Sequence, residues 1–257
     1  MPKLPLLLAL ALTTACSAPR LEVMPRAMQF NVAGEFRADT SGGLNTANDL
    51  ESLGIDDDPI EFAPRVDLDL GAVEITADWF AVSYQGSGQV QQELEFGGQV
   101  FPVNTTVNSE LELSLARAAL TVDLVPLESF DLGLGVGGAF ADARVAVEEQ
   151  LTGDSATSDE QAPFPFLAGR TRLAIGQFSA ELLVGWLDVE IDTVDASYLD
   201  WDAFLRWAFL GGQERLSGSL LAGYRSINVD LAYQDGSDDI RIDAELAGPY
   251  LGLSLAF

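Results

Sequence analysis

Large apolar residues take every second position of Leu251-Gly252-Leu253-Ser254-Leu255-Ala256-Phe257, and a period of two recurs along most of the chain. That period gives a strand one greasy and one polar face. It predicts ten strands. The first spans roughly 27–39, with Met28, Phe30, Val32 and Phe36 opposite Gln29, Asn31, Glu35 and Arg37. The second (60–70) sets Phe62, Val66, Leu68 and Leu70 against Arg65, Asp67 and Asp69, and the third (73–85) sets Val73, Ile75, Ala77 and Trp79 against Glu74, Thr76 and Asp78. The fourth (107–124) sets Leu111, Leu113 and Leu115 against Glu110 and Glu112. The fifth (130–147) and the sixth (164–175) follow, the latter with Leu167, Leu173 and Ile175 opposite Arg170 and Arg172. The seventh spans 178–192, the eighth 198–210, the ninth 215–231 and the tenth 239–257. The eighth is the cleanest: Leu199, Trp201, Ala203, Leu205, Trp207 and Phe209 alternate with Asp200, Asp202, Phe204, Arg206 and Ala208. In the tenth the apolar phase switches across Gly248-Pro249, which predicts a bulge that shifts the register by one.

Short connections at Gly71-Ala72, Val125–Ser129, Gly176-Gln177 and Gly211–Glu214 alternate with acidic ones at about 40–59, 86–106, 148–163, 193–197 and 232–238. The hydrophobic share is 48%, yet past residue 12 no stretch approaches the length of a membrane helix. Apolar surface in strands, if it faces lipid, requires a closed sheet, because hydrocarbon cannot satisfy an open edge. The expected fold is all-β: an antiparallel up-and-down transmembrane barrel of about ten strands (eight to twelve), with short periplasmic turns and longer acidic extracellular loops. Trp201 and Trp207 near the two ends of the eighth strand fit interfacial aromatics. The competing fold is a soluble secreted β-barrel or sandwich, with the apolar face inside.

The N-terminus changes the compartment. Leu4–Leu12 is a short apolar core behind Lys3, the shape of an export signal. The run Leu12-Thr13-Thr14-Ala15-Cys16-Ser17 resembles a lipobox. The expected organisation is a signal peptide over 1–15, lipidation at Cys16, a tether over 16–26 and a barrel over 27–257. Ordinary cleavage after Ala15 or Ala18 is the alternative. Cys16 is the one cysteine, so no intramolecular disulfide forms.

Forty acidic residues face thirteen basic ones, for a net charge of −27, and there is no histidine. Nucleic-acid binding, which needs a basic footprint, is excluded as an expectation. Histidine-based acid–base or nucleophilic catalysis is unavailable, and the expectation is that the protein is not an enzyme. Gly133-x-Gly135-x-x-Gly138 has the dinucleotide spacing but no βαβ context, and no organic cofactor is expected. Asp56, Asp57, Asp58, Asp235, Asp238 and Asp239 offer oxygen ligands suited to Ca2+ or Mg2+, without the full spacing of a calcium loop. A solvated acidic loop is the plainer reading.

The terminal Leu251–Phe257 pattern, the asymmetry of turns and loops, and the stretch Asn48-Asp49-Leu50-Glu51-Ser52-Leu53-Gly54-Ile55-Asp56-Asp57-Asp58 carry a resemblance. The chain resembles the small outer-membrane β-barrels of Gram-negative bacteria, in the general style of the OmpA membrane domain, OmpW and the opacity proteins. The resemblance implies an outer-membrane location and contact with outer-membrane lipid and lipopolysaccharide. It also implies recognition of Phe257 by the barrel-assembly machinery. With the apolar face outward, the lumen is lined by Glu35, Arg37, Arg65, Asp67, Asp69, Glu74, Asp78, Glu112, Arg170, Arg172, Asp200, Asp202, Arg206, Arg225, Arg241 and Asp243. Two functions remain open: a structural or interaction barrel with a charge-paired interior, and a narrow porin-like pore that prefers cations or a small solute.

Overall fold

The structure, a computed structural model, describes residues 18–39, 47–55, 58–91, 94–96, 99–125, 127, 129–191, 194–210, 216–235 and 238–257. Among the described residues sixteen strand segments occur in chain order. They are β1 (Arg20–Met24), β2 (Arg26–Gln29), β3 (Asn31–Asp39), β4 (Ala47–Asp49), β5 (Ile60–Phe62), β6 (Arg65–Asp69), β7 (Val73–Gln89), β8 (Leu94–Phe96) and β9 (Gln99–Phe101). The longer strands follow: β10 (Thr106–Asp123), β11 (Phe130–Glu149), β12 (Ser155–Ile175), β13 (Phe178–Ile191), β14 (Val194–Leu210), β15 (Ser217–Asp235) and β16 (Asp238–Ala256). They build a closed antiparallel barrel of ten staves. The first stave is β1–β3 and the second β5–β6; the remaining eight are β7 and β10–β16. The last strand closes on the first: β16 pairs with β1, β2 and β3, and Leu21 and Phe257 exchange backbone hydrogen bonds of 2.8 and 3.2 Å. Among the described residues no helix is long and apolar enough to cross a membrane.

The barrel begins at Arg20, ahead of the predicted start at 27, so the predicted tether over 16–26 is strand from Arg20 onward. Pro25 explains the difference. It lacks an N–H and divides β1 from β2, but its carbonyl still accepts from Leu253 N at 3.1 Å. The alternation passes straight through it: Glu22, Met24, Arg26, Met28 and Phe30 are all buried in the lumen.

Each long stave changes character along its length. On β7 the inward side chains run Glu74, Thr76, Asp78 and then Phe80, Val82, Tyr84. On β10 they run Thr121, Ala119, Arg117 and then Leu115, Leu111, with Val107 beyond. The outward side chains do the reverse, from exposed Leu120 to exposed Glu112 on β10 and from Leu251 to Glu245 and Asp243 on β16. Near the short turns the outside is apolar and the inside charged, as a lipid-embedded stave requires. Toward the other end the outside is polar and the inside apolar, as in a water-soluble barrel.

This inversion corrects two expectations. Leu111 and Leu115 point inward, and Glu112 points out into solvent rather than into the lumen. The switch of phase in β16 needs no bulge: its pairing with β15 runs unbroken from Ser217↔Ala256 to Asp235↔Asp238. Among the described residues the barrel's register shifts instead at Ala208/Leu210 in β14. The acidic segments at 148–163, 193–197 and 232–238 are largely strand, since β11 and β12 meet across 150–154, and Ile191 pairs with Val194.

Residues 51–55, within the predicted 40–59 connection, contribute an internal plug. Residues Glu51–Leu53 form a 3-10 turn that ends on Gly54 at φ 82°, a left-handed position that favours glycine. Leu53 and Ile55 are buried inside the mouth. Gly86 and Gly88 of β7 make this possible: a Cβ on Gly86 would stand 1.6 Å from Gly54 O, and one on Gly88 2.2 Å from Ser52 O.

Candidate functional site in the barrel lumen

The charged half of the lumen is a layered network of arginine and carboxylate. Alternation on β7, β10, β14 and β15 places Asp78, Arg117, Asp200 and Arg225 at one level. Arg225 reaches Asp78 at 2.8 Å and Asp200 at 2.8 Å, and Arg117 reaches Asp78 at 2.7 Å and Asp200 at 2.5 Å. Tyr198 Oη donates to Asp200 at 2.8 Å. One level toward the turns, Arg26 binds Asp202 at 2.7 Å and donates to Ala63 O at 2.8 Å, and Tyr250 Oη donates to Asp202 at 2.5 Å. The lowest tier joins Arg65, Arg170, Arg172 and Arg206 to Glu22, Asp67, Glu74, Asp123, Asp131 and Glu181. Arg65 holds Asp67 at 2.9 Å and Glu181 at 2.5 Å. Arg170 holds Glu74 at 2.8 Å and Asp123 at 2.5 Å. Arg172 holds Glu181 at 3.0 Å and Glu74 at 3.3 Å, and Arg206 pairs with Glu22.

Arginine suits this role because its planar fork bonds several carboxylates at once. Aromatic rings cover the guanidinium faces: Arg225 lies 5.5 Å from the Phe80 centroid, Arg65 5.3 Å from Phe204 and Arg26 4.9 Å from Tyr250. Above the network, Phe30, Phe80, Tyr84, Leu111, Leu115, Phe166 and Tyr198 form an apolar core. A second cluster of Leu53, Val90, Phe101, Val107, Val147 and Ala156 fills the mouth. Among the described residues, side chains occupy the lumen at each of these levels, as an interior of this size permits.

Of the predicted lumen residues, Arg65, Asp67, Glu74, Asp78, Arg170, Asp200, Asp202 and Arg225 are buried together, and Arg172 and Arg206 join them half-buried. Asp69 is half-buried at the turn end and accepts from Gly71 N at 2.7 Å. Asp243 is exposed, because the β16 outer face is in water at that height. The side chains of Glu35, Arg37 and Arg241 lie outside those described. So do Asp56, Asp57 and Cys16 altogether, and the side chains of Asp235, Asp238 and Asp239. Asp58 is exposed. Sequence reasoning missed Glu22, Arg26, Arg117, Asp123, Asp131 and Glu181. Parity could have found Arg117 and Asp123, which share their face with Thr121.

No family model matches the chain, and no curated protein does. Solved structures do. The chain is similar to the outer membrane protease OmpT from Escherichia coli, with a TM-score of 0.58 at 9% identity, covering 94% of this chain and 98% of that one. The fold is that of a bacterial outer-membrane β-barrel. Weaker similarities extend to the transport unit of the autotransporter AIDA-I from Escherichia coli and to the Pseudomonas putida toluene transporter TodX. The first has a TM-score of 0.37 at 8% identity and covers 96% of this chain and 95% of that chain. The second has 0.32 at 9% and covers 95% and 90%. The likeness is to outer-membrane barrels in general and does not narrow to the OmpA, OmpW or opacity style.

Proposed function

We propose that this protein is a non-conducting, non-catalytic barrel of the Gram-negative outer membrane, with a structural or interaction role carried by its acidic extracellular face. The observation that carries this reading is the filled lumen: three tiers of ion pairs at the turn end, an apolar core above them, and the 51–55 plug at the mouth. A water-filled path would need a column free of side chains. The absence of histidine supports a role without catalysis. The outer rims of the long staves present Glu112, Glu148, Asp159, Glu160, Asp188, Glu190, Asp195 and Asp243 to solvent. Arg20 and Phe257 lie together at the short-turn end, so a lipid on Cys16 would enter the periplasmic leaflet beside the barrel.

The test is conductance in planar bilayers, with folding checked by heat-modifiable gel mobility. The expected result is a silent bilayer at protein loads where a known porin gives steps. Reproducible steps would establish the pore reading instead.

The acidic rim carries a second expectation. It would repel lipopolysaccharide phosphates within a Debye length of about 8 Å at physiological salt. Divalent cations bridging carboxylates to phosphates would offset that repulsion, with Asp56, Asp57, Asp58, Asp235, Asp238 and Asp239 as the proposed ligands. Calcium or magnesium should then raise the melting temperature in lipopolysaccharide-containing membranes more than sodium at equal ionic strength. Equal stabilisation by sodium would mean screening alone.

A further inference from the structure

The lowest tier of the lumen is not balanced. The two tiers above it pair Arg117 and Arg225 with Asp78 and Asp200, and Arg26 with Asp202. That leaves four guanidiniums facing six carboxylates in the lowest tier, two negative charges in excess in a partly dehydrated space. Burying an uncompensated charge costs several kcal/mol.

The excess is localised. Asp67, Glu74 and Glu181 each place a carboxylate oxygen within 4.8 Å of the others, and all three are buried. The two Glu181 oxygens are taken by Arg65 and Arg172. Asp67 uses Oδ1 for Arg65, and Glu74 uses Oε2 for Arg170 and Arg172. Asp67 Oδ2 and Glu74 Oε1 are buried without a hydrogen-bond partner. Both residues line a cavity of about 20 Å3, together with Glu22, Asp69, Arg20 and Arg172. One water-sized body needs about 10–15 Å3.

We propose that this cavity is a site for one hard divalent cation, calcium in the first instance, held between Asp67 and Glu74. The ligands are all oxygens, the donor type that calcium and magnesium take and softer metals do not require. Oxygens on one calcium, each about 2.3–2.6 Å from it, stand up to about 5 Å apart, which the 4.8 Å spread of this cluster accommodates. Two positive charges match the excess. Glu22 and Asp69 stand at the cavity wall as outer carboxylates, and Arg20 and Arg172, the cations on that wall, are engaged by Ser217 and by Glu74 and Glu181. The small volume favours calcium, because magnesium keeps several waters. Arg20 is exposed at the turn end, so the ion enters from the periplasmic side.

The test uses the folded full-length barrel in detergent, stripped with EDTA and titrated with calcium chloride by calorimetry, beside the variants Glu74→Gln and Asp67→Asn. The wild type should bind about one calcium that Glu74→Gln lacks, beyond any weak binding the two share through the acidic rim. Calcium should raise the melting temperature of the wild type by clearly more than that of Glu74→Gln. In EDTA, Glu74→Gln should melt no lower than wild type, since it removes excess charge. Asp67→Asn gives the same reading independently if Glu74→Gln fails to fold. Identical calcium isotherms for wild type and variants, or variants that lose the same stability in EDTA and in calcium, would overturn the proposal; either result would leave the tier neutralised by protons or by its own ion pairs.

Discussion

Replacing Arg225 with Leu should destabilise the barrel by about 3–5 kcal/mol, the usual effect of removing one partner of a buried ion pair. Arg225 is fully buried and bonds Asp78 and Asp200 together. Without it, the two carboxylates share Arg117 as their one ion-paired cation, 2.7 and 2.5 Å away, with Tyr198 Oη still donating to Asp200, and each retains only part of its compensation. The effect should appear as a lowered urea midpoint of the reconstituted protein, followed by tryptophan fluorescence. Arg144→Leu is the control. Arg144 is half exposed and sits 3.9 Å from Glu112 and 3.5 Å from Asp159, and exposed pairs contribute about 0–1 kcal/mol. If the two substitutions shift the midpoint equally, the lumen network is not a stabilising frame.

Replacing Leu205 with Arg should impair assembly by about 2–4 kcal/mol, the depth-dependent effect of a cation on a lipid-facing stave. Leu205 lies outward near the middle of the apolar run on β14 and is 65% exposed to the surroundings of the barrel. Ala208 on the same strand faces in and is half-buried, and Ala208→Ser should change little, since a hydroxyl finds polar company near Arg206. Folding yield into lipid vesicles, read from gel mobility, separates the two. Equal yields would mean that the outer face of β14 is not in hydrocarbon.

The sequence made the barrel legible wherever a stave keeps one pattern over a full crossing. The eighth predicted strand lies wholly within β14, which begins four residues earlier at Val194, and its faces are as read: Leu199, Leu205, Trp207 and Phe209 out, Asp200, Asp202 and Phe204 in. The third agrees as well. Alternation marks a contrast between two faces; it does not say which face is inside. The sign depends on whether lipid or water lies outside, and that changes partway up each stave. Leu111, Leu115 and Glu112 were misplaced for this reason, and the false bulge at Gly248-Pro249 was the same inversion read as a slip in pairing. The pairing partners of the lumen were illegible for a different reason. Arg26 meets Asp202 at a sequence separation of 176, and only the closure of the sheet brings them together. Glu181 was lost because it stands as one acid between Ala180 and Leu182, with no neighbour in sequence to mark its face. In the stretch around Leu50–Ile55, the small residues and the paired Gly86 and Gly88 of β7 are the imprint of backbone packed on backbone.

The height at which the staves invert is also a gauge of membrane thickness. On β14 the outward apolar positions run from Leu199 to Phe209, close to the 9–11 residues a tilted strand needs to cross hydrocarbon. On β10 the outward series goes from Leu120 through Ala118, Ala116 and Ser114 to Glu112. A bilayer a few ångströms thicker would draw Ser114 and then the Glu112 carboxylate below the headgroups, and the wide barrel cannot tilt away from that mismatch as a single helix can. The bacterial outer membrane is thinner than most. In the proposed outer-membrane setting, the ring of outward carboxylates would rest at the headgroups and limit how deep the barrel sits.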